Sequence, residues 1–372
     1  MTKPKLLIST DSFLPRIDGV TRFLMEIIPP LRERFDITVV APTFPGKQIR
    51  LEKVNIVYIP LSSWRAGDYQ FAKYRPRILR QLVKKNDVVF NQSLGTIGIN
   101  AIRMAKKEKK PVVSFIHSID WELASQSIGT AKKLVALVVK WVAKRTYKKC
   151  TKLIFPSQQA ALKYEEQGIV RPSRIVSLGV DIHRFKPSHS KAMAKRNIGI
   201  DANKLVIGFC GRIGREKDLG TLKNAFDKIK ENYPVVLLIV GEGVDESLQG
   251  DGVILAGRQN DVVPYLQAMD IYVLPSLTET TSLSTLEAMA CGLPVICTPV
   301  GSLKEYIKHR QNGYLFPRGN VERLSQYLQI LLRNPQKRQQ LGMAARKTVG
   351  EKFHWEDTVK GIIKVLEKFT KL

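Results

Sequence analysis

Little in this sequence points to covalent or metal cross-linking. It has four cysteines in 372 residues, Cys150, Cys210, Cys291 and Cys297, and no two stand at C-x-x-C spacing. A disulfide scaffold and a zinc framework are therefore excluded, and reduced thiols of a cytoplasmic protein are expected. Long apolar runs are missing too. The stretch Leu134–Val139 stops at Lys140, far short of the ~20 residues that span a bilayer. The opening MTKPKLLISTDSF turns polar too soon for a signal peptide. If this chain meets a membrane, it meets the surface. Acidic residues are scarce: 33 stand against 60 Lys and Arg, for a net charge of +27. The excess is uneven, +20 over residues 1–190 and +7 over residues 191–372. Such a basic half attracts an anionic partner, whether nucleic acid, membrane or phosphorylated substrate, and charge alone does not choose among them.

What is present is an alternation through most of the sequence. Short apolar runs at Lys5–Ser9, Ile37–Ala41, Ile56–Ile59, Val88–Asn91, Val112–Ile116, Lys152–Pro156 and Ile175–Ser177 are separated by amphipathic stretches. A second series follows at Val206–Cys210, Val235–Val240, Val253–Ala256, Ile271–Leu274 and Val295–Thr298. Continuous rather than alternating runs indicate parallel strands covered on both faces. Helical patterns at Gly19–Arg34, Arg75–Lys85, Leu222–Asn232 and Leu283–Cys291 lie between them. This organisation predicts two doubly wound α/β units, with a seam near Phe185–Asn203. The segment from Trp355 to Leu372 reads as an amphipathic helix that packs back on the first unit. Ligands of such sheets bind beyond the carboxyl ends of the strands.

Three stretches occupy such positions. The loop STDSFLPRIDGV brings Asp18 and Gly19 to the start of a helix, and the bland reading makes Asp18 an ordinary cap. In GRIGREKDL, Arg212 and Lys217 stand on a loop leading into a helix, where a fork and a point charge suit a diphosphate; a solvated charged loop is the alternative. In LPSLTETTSLSTLEAMACGLPVICTPVG, Glu279 and Glu287 are eight apart around a helix start. The amides of Thr281, Ser282 and Leu283 there are suited to an anion. Ser284-x-x-Glu287 also matches a capping box, which would make Glu287 structural.

The spacing Glu-x7-Glu followed by Ala-Met-Ala-x-Gly-x-Pro-Val resembles the donor-site signature of family-4 glycosyltransferases. The early Pro-x-x-Asp-Gly-Val loop, His117 after VVSFI, SLGVDIHRFKP, GFCGRIGREKDL and IVGEG extend the resemblance over nearly the whole chain. The resemblance implies an α/β GT-B fold, two doubly wound Rossmann-like domains facing across a cleft. Residues 1–187 would bind acceptor and 188–354 the nucleotide-sugar. It implies that Arg212 and Lys217 hold the donor diphosphate, that Glu279 meets the donor sugar's hydroxyls and that Glu287 binds the ribose diol. Thr281, Ser282 and Leu283 would offer backbone amides, Gly19 would approach the diphosphate, His117 would lie near the sugar's C6 hydroxyl and Arg258 near the base. The family usually has a further glycine where Asp18 stands, and often one where Ser282 stands. No Asp-x-Asp signature appears, so neither a catalytic metal nor another cofactor is expected. His183, His189, His309 and His354 lack metal-ligand spacing.

Two basic stretches carry aromatics. The first interleaves Trp64, Tyr69, Phe71 and Tyr74 with Arg65, Lys73, Arg75, Arg77 and Arg80, and Pro76 is read as interrupting its helix. The second, AKKLVALVVKWVAKRTYKK, sets Lys133, Lys140, Lys144 and Lys148 against Leu134, Leu137, Val138 and Trp141. Both suit an anionic membrane surface, and for the second a core helix with a solvated Lys face is the favoured reading. The expectation is a retaining hexosyltransferase, peripheral on the cytosolic membrane face, using a UDP- or GDP-sugar and a lipid or lipid-linked acceptor. A soluble sugar or polysaccharide acceptor is the alternative. A basic nucleic-acid-binding protein is the remote alternative, and a nucleic-acid partner is not expected, because no recognition motif accompanies the charge.

Overall fold

The structure is a computed structural model that describes residues 3–66, 69–127, 131–243 and 245–370. Its first sheet is built from β1 (Lys5–Ser9), β2 (Asp36–Thr43), β3 (Val54–Ala66), β4 (Tyr69–Ala72), β5 (Val88–Asn91), β6 (Val112–Phe115), β7 (Lys152–Phe155) and β8 (Ser173–Ile175). The spatial order is β4-β3-β2-β1-β5-β6-β7-β8. Every neighbouring pair is parallel except β3 and β4, which form an antiparallel hairpin. The second sheet contains β9 (Leu205–Cys210), β10 (Val235–Val240), β11 (Val253–Gly257), β12 (Ile271–Leu274), β13 (Val295–Cys297) and β14 (Tyr314–Leu315), all parallel, in the order β11-β10-β9-β12-β13-β14. All six residues of β10 and all four of β12 are buried, as helices on both faces require.

The chain divides into two compact units. One runs to Ser177 and takes up the chain again from Glu356; the other is Leu178–Trp355. Thr358 donates to the carbonyl of Ser177 at 2.8 Å, and a side chain on Gly361 would collide with Val176, which fixes the last helix to β8's end of the first unit. The division falls before the segment read as a seam: Phe185 and Ile200 belong to the core of the second unit.

In each sheet the order reverses beside the first strand, between β1 and β5 and between β9 and β12. These switch points are where open α/β sheets bind ligands.

Three elements differ from the sequence reading. β4 and β14 are short edge strands, of four and two residues, too short to show a period. Pro76 does not interrupt a helix but opens one, Pro76–Lys85. Its fixed φ and missing N–H suit the first helical position. The first helix, Gly19–Arg32, by contrast agrees with the reading of one helix over Gly19–Arg34 and continues through Pro29 and Pro30. Phe23, Leu24, Ile27, Ile28 and Leu31 bury one face of it, and that packing outweighs the proline cost.

Candidate functional site

The two switch points differ chemically. In the first unit, helix N-termini are already occupied by the protein's own carboxylates. Asp11, beyond β1, accepts from the amides of Ile97 (2.8 Å) and Gly98 (2.9 Å) at the head of the helix Thr96–Lys107, and from the Ser93 hydroxyl (2.6 Å). Burial pushes its carboxyl upward against these donors. Asp18 caps the first helix, accepting from Val20 (3.1 Å) and Thr21 (3.0 Å). Ser12 also donates to it and Arg16 lies at 3.4 Å. The lone pairs that a phosphate would supply are thus supplied from within. Gly19, the first helical residue, is exposed, and a methyl there would meet nothing within 4 Å. The unit itself does not demand glycine at this position.

In the second unit the corresponding helix, Leu283–Ala290, is capped by an uncharged hydroxyl. Ser282 accepts from the amide of Thr285 at 3.3 Å, and the amides of Leu283 and Ser284 have no carbonyl within the helix to bond. The capping box read at Ser284 and Glu287 does not form. Ser284 lies inside the helix and receives the Tyr272 hydroxyl at 2.8 Å, while Glu287 is one turn further on and buried. Cations flank this helix end. Lys217 reaches Glu279 at 2.5 Å, across from the loop after β9 to the loop after β12. Ser276 donates to the same Glu279 oxygen at 2.9 Å. Arg212 pairs with Glu216 at 2.5 Å, and the carbonyl of Glu216 accepts from the amide of Leu277 at 2.8 Å. The structure therefore brings Lys217, Glu279, Ser282, Leu283 and the short helix holding Glu287 to one switch point, with Arg212 on the same β9 loop. Arg258 is exposed beyond β11, two strands away from β9.

The sequence reading missed the residues that hold this arrangement. Glu216 is 2% exposed and fastens both the β9 loop and Arg212. Ser302 donates its amide and its hydroxyl to the carbonyl of Thr280, both at 2.9 Å, and lies 3.1 Å from the Thr281 hydroxyl. Gly301 makes that contact possible: its φ is +54°, and a Cβ would fall 2.2 Å from the Glu279 carbonyl. Gly241, after β10, is equally constrained, since a Cβ would lie 1.7 Å from the carbonyl of Gly211. Acidic and hydroxyl residues in loops give no periodic signal, so only the glycines within the quoted motifs hinted at these contacts. Among the described residues, no group of three or more His, Cys, Asp or Glu side chains is placed to hold a metal ion.

In the first unit, His117 follows β6. Its ring lies 4.8 Å from Phe23 and 4.7 Å from Phe115, and its Nε2 is 2.9 Å from Gln92 Oε1. Desolvation pushes its pKa down to about 3 despite the pull of Asp18, so the ring is neutral at ordinary pH. Three residues on, Asp120 receives the hydroxyls of Tyr147 (3.0 Å) and Tyr164 (2.6 Å) on one oxygen. Tyr147 ends the helix Lys132–Tyr147, so this helix is fastened to the loop that carries His117. Burial pushes the Asp120 carboxyl up to about 6. A carboxyl whose native pKa is raised holds its proton more tightly when folded, so its contribution is complete below about pH 4 and is lost as pH rises through 6. In urea unfolding between pH 4 and 7.5, Asp120→Asn should remove a decline of about 2 kcal/mol seen in the unaltered protein. Parallel pH dependences in the two proteins would contradict this.

The basic stretches are both in the first unit. Trp64 on β3 is 78% exposed and Tyr74 59%. Arg65, Lys73, Arg75 and Arg77 are exposed, and Phe71 is half-buried. The side chain of Tyr69 lies outside the described residues. The helix Lys132–Tyr147 corrects the reading of a simple core helix. It packs inward with Ala136, Val139, Ala143 and Tyr147, yet Leu134, Leu137, Val138 and Trp141 are all more than half exposed. The two apolar faces are distinct, and Lys133, Lys144, Arg145 and Lys148 flank the outer one, all exposed. No helix among the described residues is long and apolar enough to cross a membrane.

Comparison with known proteins agrees with this geometry. Residues 17–184 match the model of Glycosyltransferase Family 4, and residues 190–348 that of Glycosyl transferases group 1. The chain is 28% identical over 361 residues to a GDP-mannose-dependent alpha-mannosyltransferase of Mycobacterium tuberculosis, covering 93% of this chain and 92% of that protein. It is likewise 28% identical over 344 residues to the UDP-Gal:alpha-D-GlcNAc-diphosphoundecaprenol alpha-1,3-galactosyltransferase of Escherichia coli, covering 86% of each. In fold it resembles Anabaena HepE, solved with UDP and glucose, with a TM-score of 0.80 at 19% identity over 98% of this chain and 99% of that one. Two Rossmann-like sheets, parallel but for one edge hairpin, and two family models covering successive halves lead to one conclusion: the chain belongs to the family-4-like glycosyltransferases of the GT-B fold.

Proposed function

We propose that this glycosyltransferase is a retaining hexosyltransferase that places the sugar of a UDP- or GDP-linked donor on a lipid or lipid-linked hydroxyl at an anionic membrane surface. The observation that carries the lipid part is the outer face of the helix Lys132–Tyr147, an exposed apolar stripe flanked by cations. Burying such a stripe in lipid removes apolar surface from water while the lysines meet anionic headgroups. A lipid-linked substrate in the name of the Escherichia coli relative is consistent with this.

In this reading Arg212, Lys217 and the amides of Leu283 and Ser284 hold the donor diphosphate, so no catalytic metal or other cofactor is needed. Glu279 receives sugar hydroxyls, Glu287 the ribose diol and Arg258 the base. Thr281 and Ser282 add backbone amides. Gly19 leaves room for the diphosphate, and His117 accepts from a sugar hydroxyl. The C1–oxygen bond to the diphosphate breaks and the bond to the acceptor oxygen forms on the same face. The acceptor's proton passes to a phosphate oxygen of the leaving group. The aromatic and basic surface of Trp64, Arg65, Tyr69, Phe71, Lys73, Tyr74, Arg75 and Arg77 supplies further membrane or acceptor contact. The protein would thus sit at the cytosolic membrane face.

The test is transfer from a panel of UDP- and GDP-sugars, in EDTA, with and without anionic vesicles carrying candidate acceptor lipids. Turnover that needs vesicles is expected, with the α configuration kept. Turnover on soluble sugars that ignores vesicles would reject the lipid acceptor and leave the donor chemistry in place.

A further inference from the structure

Gln92 follows β5 at the switch point of the first unit, in a position that no motif drew attention to. It is 2% exposed. Its backbone amide donates to the Ser9 carbonyl at 2.9 Å, which ties it to β1. Its side-chain amide nitrogen faces the Phe90 carbonyl at 3.4 Å, and its Oε1 lies 2.9 Å from His117 Nε2. An amide oxygen only accepts, so the ring nitrogen facing it must carry the proton. Turning the amide over would set its oxygen against the Phe90 carbonyl, two acceptors face to face. The backbone of β5 therefore chooses the orientation of the amide, and the amide chooses the tautomer of the ring.

We propose that Gln92 is a positioning residue for His117: it holds the imidazole as the Nε2–H tautomer, in one orientation, so that Nδ1 presents a lone pair to a hydroxyl of the substrate sugar. This rests on the reading above that His117 meets that sugar. Phe23 and Phe115 enclose the ring and cannot hydrogen-bond to Nδ1. The charged group acting on the ring is Asp18, at the cap of the first helix, itself paired with Arg16. Gln92 is uncharged, so the ring has no carboxylate partner on its Nε2 side to draw a second proton. A neutral ring with Nε2 donating has one function left at Nδ1, and that is acceptance.

The decisive variant is Gln92→Glu. It places a carboxyl against Nε2 without changing the length of the side chain. At lower pH the carboxyl and the ring share one added proton. If that proton is on the ring, both nitrogens donate. If it is on the carboxyl, the carboxyl donates to Nε2 and the ring's own proton moves to Nδ1. In either state Nδ1 no longer accepts. Transfer by Gln92→Glu should therefore fall by about tenfold or more between pH 9 and pH 6, beyond any change seen in the unaltered enzyme. Gln92→Leu, which cannot titrate, should lose rate equally at all pH values. The 15N shifts of His117, assigned with His117→Ala, should show Nε2–H without titration down to pH 5 in the unaltered protein, and a titration in Gln92→Glu. A proton found on Nδ1 in the unaltered protein, or a pH-independent loss in Gln92→Glu, would overturn the proposal. Full transfer by His117→Ala would instead overturn the sugar contact, and the 15N shifts would still decide what Gln92 does to the ring.

Discussion

Glu279→Ala should lower the rate of sugar transfer by about 10²–10³-fold, the range seen when one preorganised group is removed from a reacting centre, while binding of the nucleoside diphosphate persists or tightens. The reason is the pairing of Lys217 with Glu279 at 2.5 Å. Both side chains are largely shielded, 18% and 10% exposed, so the ion pair is strongly felt. With Glu279 removed, Lys217 loses its partner on the opposite loop and the phosphate oxygens meet a cation with no internal competitor. In the proposed reading the sugar, by contrast, loses the carboxylate that would receive its hydroxyls. Glu287→Ala should do the reverse. Glu287 lies within the helix one turn beyond its N-terminus, so in the proposed reading its loss should weaken nucleotide binding and leave the rate at saturation closer to normal. Calorimetric binding of UDP and GDP, set beside transfer rates at saturating donor, separates the two. Full activity in both variants would mean that the donor site has been placed on the wrong residues.

The parts of this site that were legible in the sequence share a physical cause. Strands buried on both faces leave continuous apolar runs, and Val235–Val240 and Ile271–Leu274 were bounded to the residue for that reason. Residues beyond their carboxyl ends were then candidates by position. What stayed hidden depends on contacts between distant loops. Glu216 is read as one more charge in GREKD until its burial beneath Arg212 is seen. Gln92 in FNQS has no spacing relation to His117, because adjacency of β5 and β6 alone brings them together. Asp11 is 86 and 87 residues from the amides it accepts from. The basic helix was misjudged for a different reason. A helix apolar on two faces has weak periodicity, and sequence cannot say which face is buried. Here the inner face is made of smaller residues such as Ala136, Val139 and Ala143, and the larger Leu137 and Trp141 are outside.

That inversion gives the second large effect. Changing Leu137 and Trp141 together to Glu should reduce binding to anionic vesicles by about 10²–10⁴-fold. Withdrawing each side chain from lipid forfeits roughly 1.5–3 kcal/mol, every 1.4 kcal/mol is about tenfold in affinity, and the new carboxylates are repelled by the headgroups. Helices serving only as core would respond in the opposite way, with folding lost and surface binding unaffected. Both positions are exposed, so the thermal midpoint should barely move, because substitutions away from packed contacts usually stay within about ±0.5 kcal/mol. Salt distinguishes the two contributions. Raising ionic strength screens the exposed lysines but does not weaken the apolar insertion, so the unaltered protein should retain part of its binding at high salt, and a variant with Lys133, Lys144 and Lys148 neutralised should show weaker binding at low salt and a shallower salt dependence, the rest coming from the remaining exposed cations. Co-sedimentation with vesicles of graded anionic content, at low and high salt, reads all of this. Unchanged binding by the double Glu variant would remove the helix Lys132–Tyr147 from any membrane surface and leave Trp64 and its neighbours as the remaining candidate for that contact.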